Sequence, residues 1–292
     1  DLCLDPNSPR DANVRAALAV ALQGLLRSKE YCGFDKPELV INRADLIEIN
    51  EDRLVLMMHA CKNMKHIGGK TCPIVIGAGG TAPNQSLGAE HSQPFHAYIM
   101  GIPGLKICSA SKPQEAYGLA KSMIRDNGPG VLLLPVKLMK TRGPLTVDNF
   151  LPLHKATLQH EASDDAIARG KAVTVLTYLH GTKESEDAIE ILKTEGYDVD
   201  LIELTCLKPF DKETVETSLK RTHKLAILDE STRSGGVGAT MSALVAETLF
   251  DELDAPVLRL CMEDAPVPYA TEMEKEMVKR ASDLVAGVKS MC

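Results

Sequence analysis

The sequence has neither an excess of basic residues nor an apolar run long enough to cross a membrane. Its 33 lysines and arginines are outnumbered by 40 aspartates and glutamates, which gives a net charge of -7 at pH 7. This balance argues against nucleic acids and anionic membranes as partners. The longest apolar stretches, such as residues 16–22, are far shorter than the roughly 18 residues of a membrane span. We therefore expect no nucleic-acid partner and no transmembrane segment.

The cysteine spacing of a zinc site is absent as well. No Cys-x-x-Cys pair occurs and no histidine stands at ligand spacing among the eight cysteines, which are Cys3, Cys32, Cys61, Cys72, Cys108, Cys206, Cys261 and Cys292. We therefore predict no metal site and interpret the cysteines as buried free thiols in a reducing compartment. The chain begins at Asp1 without a methionine, so we expect a transit peptide or a longer N-terminus before it.

The chain does have the composition of an ordinary globular protein, with 44% hydrophobic and 25% charged residues over 292 positions. That length suffices for two domains, each with its own core. Apolar runs of strand length alternate with segments of helical periodicity. The predicted strands are 73–76, 106–108, 131–134, 172–177, 199–204, 225–228 and 256–260, and the predicted helices are 113–125, 184–195, 211–221 and 237–249. This alternation predicts an α/β fold with parallel-type sheets covered on both faces.

Residues 141–171 interrupt the alternation, because they combine prolines, two histidines and mixed charges without a clear period. We interpret this region as the connection between two domains. The predicted division is a domain at 1–145, a linker at 146–171 and a domain at 172–292.

Two glycine-rich segments follow predicted strands. Residues 77–80 are expected to form a loop in which the backbone turns or approaches a neighbour closely. Residues 235–238 are interpreted as a tight turn between a strand and a helix. A phosphate-binding loop is disfavoured there, because the dinucleotide fingerprint requires a more defined spacing and a downstream acid.

Several motifs occur in an order that no propensity rule requires. They are Gly88-Ala-Glu-His-Ser-Gln93, Ile102-Pro-Gly-Leu105, Ile124-Arg-Asp126, Leu207-Lys-Pro-Phe-Asp211, Lys220-Arg-Thr-His223, Ser234-Gly-Gly-Val-Gly238, Leu253-Asp-Ala-Pro256 and Asp264-Ala-Pro-Val-Pro-Tyr-Ala270. With these motifs, the chain from about residue 37 to its C-terminus resembles the β subunit of the thiamine-dependent first enzyme of 2-oxo acid dehydrogenase complexes, pyruvate dehydrogenase type. Among the subfamilies, the plastid type is the most similar.

The resemblance implies two α/β domains, namely a thiamine-pyrimidine-binding-like domain shortened at its N-terminus and a transketolase C-terminal-like domain. It also implies an α partner subunit that holds the diphosphate and its magnesium ion within an α2β2 heterotetramer. A plastid location, in the stroma or in a plastid complex, is favoured over the mitochondrial matrix.

His91 is the strongest single candidate for chemistry. It stands in a polar segment beside Glu90, Ser92 and Gln93, a setting that suits proton transfer better than core packing. The resemblance implies that this residue is the catalytic histidine that serves acyl transfer to the lipoyl group. The other seven histidines are interpreted as structural or surface residues: His59, His66, His96, His154, His160, His180 and His223.

The N-terminal segment departs from the family at the positions that the resemblance assigns to the thiamine pocket. Arg10 takes the place of the glutamate that hydrogen-bonds the aminopyrimidine, and Leu46 takes the place of an aromatic residue. The family's Asp-Gln pair appears as Asp52-Arg53, and Leu134-Pro135 stands where an acidic residue usually follows a strand. Aromatic residues amount to only 4% of the chain, without any tryptophan. This is few for relatives that stack a thiamine ring.

Two hypotheses follow. The first is a non-catalytic relative that binds no cofactor and serves as a structural or regulatory subunit of an organellar complex, beside a family α subunit or within a larger assembly. The second is an active β subunit that carries out the oxidative decarboxylation of pyruvate with thiamine diphosphate and magnesium. Under the second hypothesis, His91 is the catalytic residue.

Overall fold

The computed structural model describes residues 48–50, 53–55, 75–81 and 87–292, apart from 127, 139–140, 145 and 147–148. Its strands are β1 Glu48–Asn50, β2 Arg53–Val55, β3 Val75–Thr81, β4 Lys106–Ser109, β5 Gly130–Pro135, β6 Thr157–His160, β7 Ala172–Thr177, β8 Asp198–Glu203, β9 Cys206–Lys208, β10 Leu225–Thr232 and β11 Leu258–Met262. Its helices are α1 Gly88–His91, α2 His96–Ile99, α3 Pro113–Arg125, α4 Asp164–Ala168, α5 His180–Thr194, α6 Lys212–Thr222, α7 Val237–Thr248, α8 Thr271–Met277 and α9 Ala281–Met291. Short 3-10 turns lie at Val136–Leu138 and Phe250–Glu252.

The first sheet has the strand order β3-β5-β4-β9. Strands β3, β5 and β4 run parallel, and β9 pairs antiparallel with β4. Every residue of β5 is buried, as expected for the central strand of a sheet that is covered on both faces. Helix α3 packs its apolar side on this sheet and buries Leu119, Ala120 and Met123. A separate hairpin pairs β1 with β2.

The second sheet has the order β11-β10-β7-β8-β6, parallel except for the antiparallel edge strand β6. Alternate residues of β7 face opposite sides of this sheet. Val173 and Val175 pack against α5 and α9, whereas Leu176 packs in the cluster that includes residues of α6 and α7. Helices therefore cover both faces of the second sheet, and the α/β prediction is confirmed.

Helix α6 begins and ends as its local sequence predicts. Asp211 is the N-cap, and its carboxylate accepts a hydrogen bond from the backbone N–H of Thr214. Lys220 and Arg221 occupy the last turn, where cations interact favourably with the negative end of the helix dipole. His223 ends the helix in the left-handed conformation, with φ of +55°.

Two segments differ from their interpretation in the sequence. Residues 77–80 lie inside β3, where 77–79 pair with β5 and the register shifts between Gly79 and Thr81, so the predicted loop is wrong. The region 146–171, expected to be a linker, includes α4 and the strand β6. Strand β6 precedes β7 in the sequence and forms an edge of the second sheet. Strand β7 begins at Ala172 as predicted. The division of the chain at 145 and 171 stays a prediction.

Candidate functional site

His91 ends the short helix α1 and is exposed. The segment was expected to be a loop, but residues 88–91 form one helical turn that Ser92 closes through a 3.0 Å hydrogen bond to the Gly88 carbonyl. Gly88 has φ of +74°, and a Cβ at this position would lie 2.3 Å from the Tyr269 ring. Only glycine fits here without strain. The Tyr269 ring therefore lies against the start of the turn that carries His91.

A group of buried side chains joined by hydrogen bonds begins at His96, five positions after His91. This group was not predicted from the sequence. His96 on α2 lies 2.8 Å from the Tyr178 hydroxyl through its Nε2 atom, and that hydroxyl donates a 2.5 Å hydrogen bond to Asp229. Because the tyrosine proton is directed to the carboxylate, the Nε2 atom of His96 must be the donor in the first bond. Burial lowers the pKa of His96 to about 4, so the ring is neutral at pH 7.

The side chains of Asp229 and Ser231, both in β10, also cap the N-terminus of α7. The Asp229 carboxylate accepts from the backbone N–H of Gly238 over 2.6 Å, and the Ser231 hydroxyl accepts from that of Val237 over 3.0 Å. A Cβ at Gly236 would lie 2.3 Å from the Ser231 hydroxyl oxygen. The N–H groups of Val237 and Gly238 are thus satisfied within the chain, which confirms the interpretation of residues 235–238 as a structural turn.

These hydrogen-bonded side chains lie at the switch point of the second sheet, between β7 and β10. From β7 the next strand, β8, lies on one side, whereas from β10 the next strand, β11, lies on the other. Open α/β sheets usually bind ligands at such a point, outside the carboxyl ends of the strands. Here the His96 and Tyr178 side chains, both fully buried, fill it. Leu179 follows with φ of +54°, a conformation that leucine rarely adopts. The described structure therefore offers a closed polar contact between α2 and the second sheet.

A second buried polar group joins α3 to the end of β8. The side-chain amide of Gln159 donates to Glu115 over 3.0 Å and to Glu203 over 2.7 Å. Burial, together with the negative charge of Glu115, raises the pKa of Glu203 to about 8. The Lys112 ammonium donates to the side-chain oxygen Oε1 of Gln159 over 2.6 Å. At neutral pH, Glu203 is therefore mostly protonated.

A small cleft of about 70 Å³ lies at the carboxyl ends of β4 and β5. Ser111 and Lys112 are the polar residues on one side, and Leu134 and Pro135 form the apolar side. Pockets for cofactors usually measure roughly 300–1,000 Å³. Leu134 and Pro135 offer no side-chain hydrogen-bonding group at the place where the resemblance implies an acid.

Of the four predicted site residues, the described structure includes Arg53 and His91, so their grouping stays a prediction. Arg10 and Leu46 lie outside the described residues. Arg53 begins β2, where its backbone pairs with Asn50. His91 is the one predicted residue whose side-chain exposure is described. Asp229 could not be found from a local signal, because it lies within β10, seven positions before Gly236, the N-cap residue of α7.

Two negative findings apply to the described ranges alone. They contain no cluster of three or more histidine, cysteine, aspartate or glutamate residues that could hold a metal ion. None of the helices in the described part is long and apolar enough to cross a membrane.

Comparison with known proteins places these features in a family. Residues 165–283 match the family described as transketolase, C-terminal domain. A solved structure titled "Split gene transketolase, inactive beta4 tetramer" is similar in fold, with a TM-score of 0.58 and 20% identity over 73% of this chain and 64% of that chain. The transketolase-like fold prediction is therefore confirmed.

The curated relatives are more similar in sequence. The "Pyruvate dehydrogenase E1 component subunit beta" of Porphyra purpurea is 40% identical over 77% of this chain and 65% of its own length. The protein of the same name from Gracilaria tenuistipitata var. liui is 41% identical over 77% of this chain and 67% of its own length. The chain spans about half, 53%, of the chloroplastic beta-4 subunit of Oryza sativa, to which it is 36% identical. The chain thus belongs to the family of pyruvate dehydrogenase E1 component beta subunits.

Proposed function

We propose that the chain is a non-catalytic beta-type subunit of a pyruvate dehydrogenase-like complex, with a structural or regulatory role. The observation that carries the proposal is the apolar end of β5. Leu134 and Pro135 are buried beside a cleft of about 70 Å³, in the place of an acidic residue. The substitutions Arg10, Leu46 and Arg53, read from sequence, point the same way. A plastid location is part of the proposal, supported by the chloroplastic relatives.

Thiamine diphosphate should not bind to the chain. Calorimetric titration of the cofactor with Mg²⁺, with the chain alone and then mixed with a family α subunit, is expected to give no heat beyond that of the α subunit alone. The physical reason is that an apolar side chain cannot replace the hydrogen bonds that a polar cofactor loses from water. Micromolar binding that depends on the chain would contradict the proposal.

An active β subunit is the second candidate, and the exposed His91 favours it. If the chain is active, His91→Ala should abolish acyl transfer to lipoyl carriers while decarboxylation continues, because the imidazole would serve proton transfer in the later step. The exposed His154→Ala variant is the matched control. If lipoyl acylation is the same with the original chain, with the His91→Ala variant and with no chain added, the chain is not the catalyst. That result would leave the non-catalytic proposal standing.

The subunit role predicts that the chain does not persist as a monomer. Large apolar side chains remain exposed, among them Tyr98 at 74%, Tyr269 at 72%, Phe250 at 70% and Met273 at 63%. Exposed apolar area of this kind marks protein interfaces when it is contiguous, and a stable interface buries upwards of roughly 1,000 Å². Light scattering at micromolar concentration should report an oligomer. A stable monomer near 31.6 kDa would refute the subunit role.

A further inference from the structure

Two buried cysteines lie opposite each other on the strands that join the two halves of the chain. Cys108 on β4 and Cys206 on β9 are both fully buried, and their sulfur atoms are 3.8 Å apart. Cys206 also donates to the Leu153 carbonyl over 3.0 Å. Both thiols are free.

The strand register brings the two residues into the geometry of a cross-strand disulfide. Cys108 is the Cα partner of Cys206 in the antiparallel pair of β4 and β9, next to a register shift between Ile107 and Cys108. The N–H of Ser109 donates to the Thr205 carbonyl over 3.1 Å, which makes Cys108 and Cys206 a non-hydrogen-bonded pair. Cα atoms in such a pair are typically about 4.5 Å apart, within the range of roughly 4.4–6.8 Å that a disulfide spans.

The position of β9 decides what such a bond would connect. Only Leu204 and Thr205 separate β8, in the second sheet, from β9, in the first sheet. Strand β9 is three residues long and forms the edge of its sheet. A short edge strand is held by few hydrogen bonds, so it can open locally without unfolding of the domain. Opening would expose Cys206 before Cys108, which lies on the inner strand.

From this geometry we propose that Cys108 and Cys206 form an oxidation site, at which a small-molecule disulfide of the glutathione type converts two thiols into a covalent bond between the two halves of the chain. The Cys206 thiolate attacks the small disulfide, forms a mixed disulfide and releases one small thiolate. Cys108 then loses its proton and attacks the Cys206 sulfur, which releases the second small thiolate. One disulfide is consumed, one is formed, and the two released thiolates take up the two protons.

The resting state resists this reaction. The hydrogen bond to Cys206, together with burial, raises the pKa of the Cys108 thiol well above its ordinary value, so little of the reactive thiolate is present. Cys206, the first nucleophile, is fully buried, so a small disulfide reaches it only when β9 opens, and oxidation is slow in the folded protein. Conditions that favour local opening, such as low concentrations of urea, should accelerate it.

Peptide mapping of the full chain tests the proposal. The purified protein is incubated with glutathione disulfide at mildly alkaline pH, with and without dilute urea, then alkylated in denaturant and cleaved with trypsin without reduction. We expect peptide 107–121 linked to peptide 194–212, lighter than their sum by the mass of two hydrogen atoms. Oxidation of the exposed Cys292 serves as the internal control. If Cys292 is fully oxidised while Cys108 and Cys206 are still alkylated, the proposal is overturned. A mixed disulfide that persists at Cys206 would overturn it as well.

A stability measurement provides an independent readout. The bond closes a loop of about 100 residues, so the oxidised chain should melt roughly 5 °C higher than the reduced chain, and dithiothreitol should reverse the shift. Cys108→Ser and Cys206→Ser should each remove the shift, and either one suffices if the other fails to fold. Cys261→Ser, which changes another buried thiol, and Cys292→Ser should retain it. An equal shift in Cys206→Ser would refute the assignment.

Discussion

Asp229→Ala is expected to lower the free energy of unfolding by about 4 kcal/mol. The carboxylate accepts hydrogen bonds from the Tyr178 hydroxyl, from the N–H and hydroxyl of Ser231, and from the N–H of Gly238. Alanine would leave these buried donors without their acceptor, and each unsatisfied group costs about 1–3 kcal/mol. The N-terminus of α7 would also lose its cap. Urea unfolding followed by circular dichroism measures the difference.

Asp251→Ala is the matched control, because Asp251 is an exposed aspartate in the 3-10 turn after α7. Its effect should stay within about 0.5 kcal/mol. Asp229→Asn keeps the size of the side chain but directs an N–H group at atoms that already donate, so it should recover only part of the loss. A loss at Asp229 no larger than that at Asp251 would show that the buried chain of hydrogen bonds does not stabilise the fold.

Glu203 should make the folded state less stable as the pH rises. Its pKa is raised from 4.5 to about 8, so between these values the folded chain holds a proton that the unfolded chain has lost. The free energy of unfolding then falls with pH, by up to about 1.4 kcal/mol per pH unit from this group. The contribution is fully present below pH 4.5 and is lost as the pH passes 8.

Glu203→Gln isolates this effect. The amide copies the protonated acid, so its oxygen can accept from Gln159 without titrating. We expect the variant to be more stable than the original chain by up to about 4 kcal/mol at pH 8.5 and to differ from it by less than about 1 kcal/mol at pH 5. Urea unfolding at both pH values measures the difference, with the exposed Glu190→Gln as the control. Parallel pH profiles for the chain and Glu203→Gln would contradict the assignment.

Elements whose signals are local could be predicted from the sequence. Helix α6 needed only its N-cap Asp211 and its basic last turn, and α3 spans the predicted 113–125 because its apolar residues share one face. Residues 77–80 misled the interpretation, because glycine permits a turn but does not require one. There the pairing of β3 with the buried β5 satisfies the backbone groups and outweighs the conformational entropy of the glycines.

The buried polar contacts could not be predicted, because their partners are distant in sequence. His96 was interpreted as a structural or surface residue, yet its hydrogen-bond partner Tyr178 stands 82 positions away. Glu115 and Glu203 belong to different halves of the chain and meet through Gln159. No local pattern encodes such a meeting. His91 could be singled out, because the residues that mark it are its immediate neighbours.

The membership of β9 in the first sheet has a consequence for synthesis on the ribosome. Domains usually fold as units while the chain emerges from its N-terminus. Among the described strands, β4 acquires its outer neighbour only after β7 and β8 have been made. Until residue 208 has left the ribosome, the edge of β4 presents unpaired backbone groups to other chains. The nascent first half therefore keeps an unpaired strand edge for longer than its own length would require.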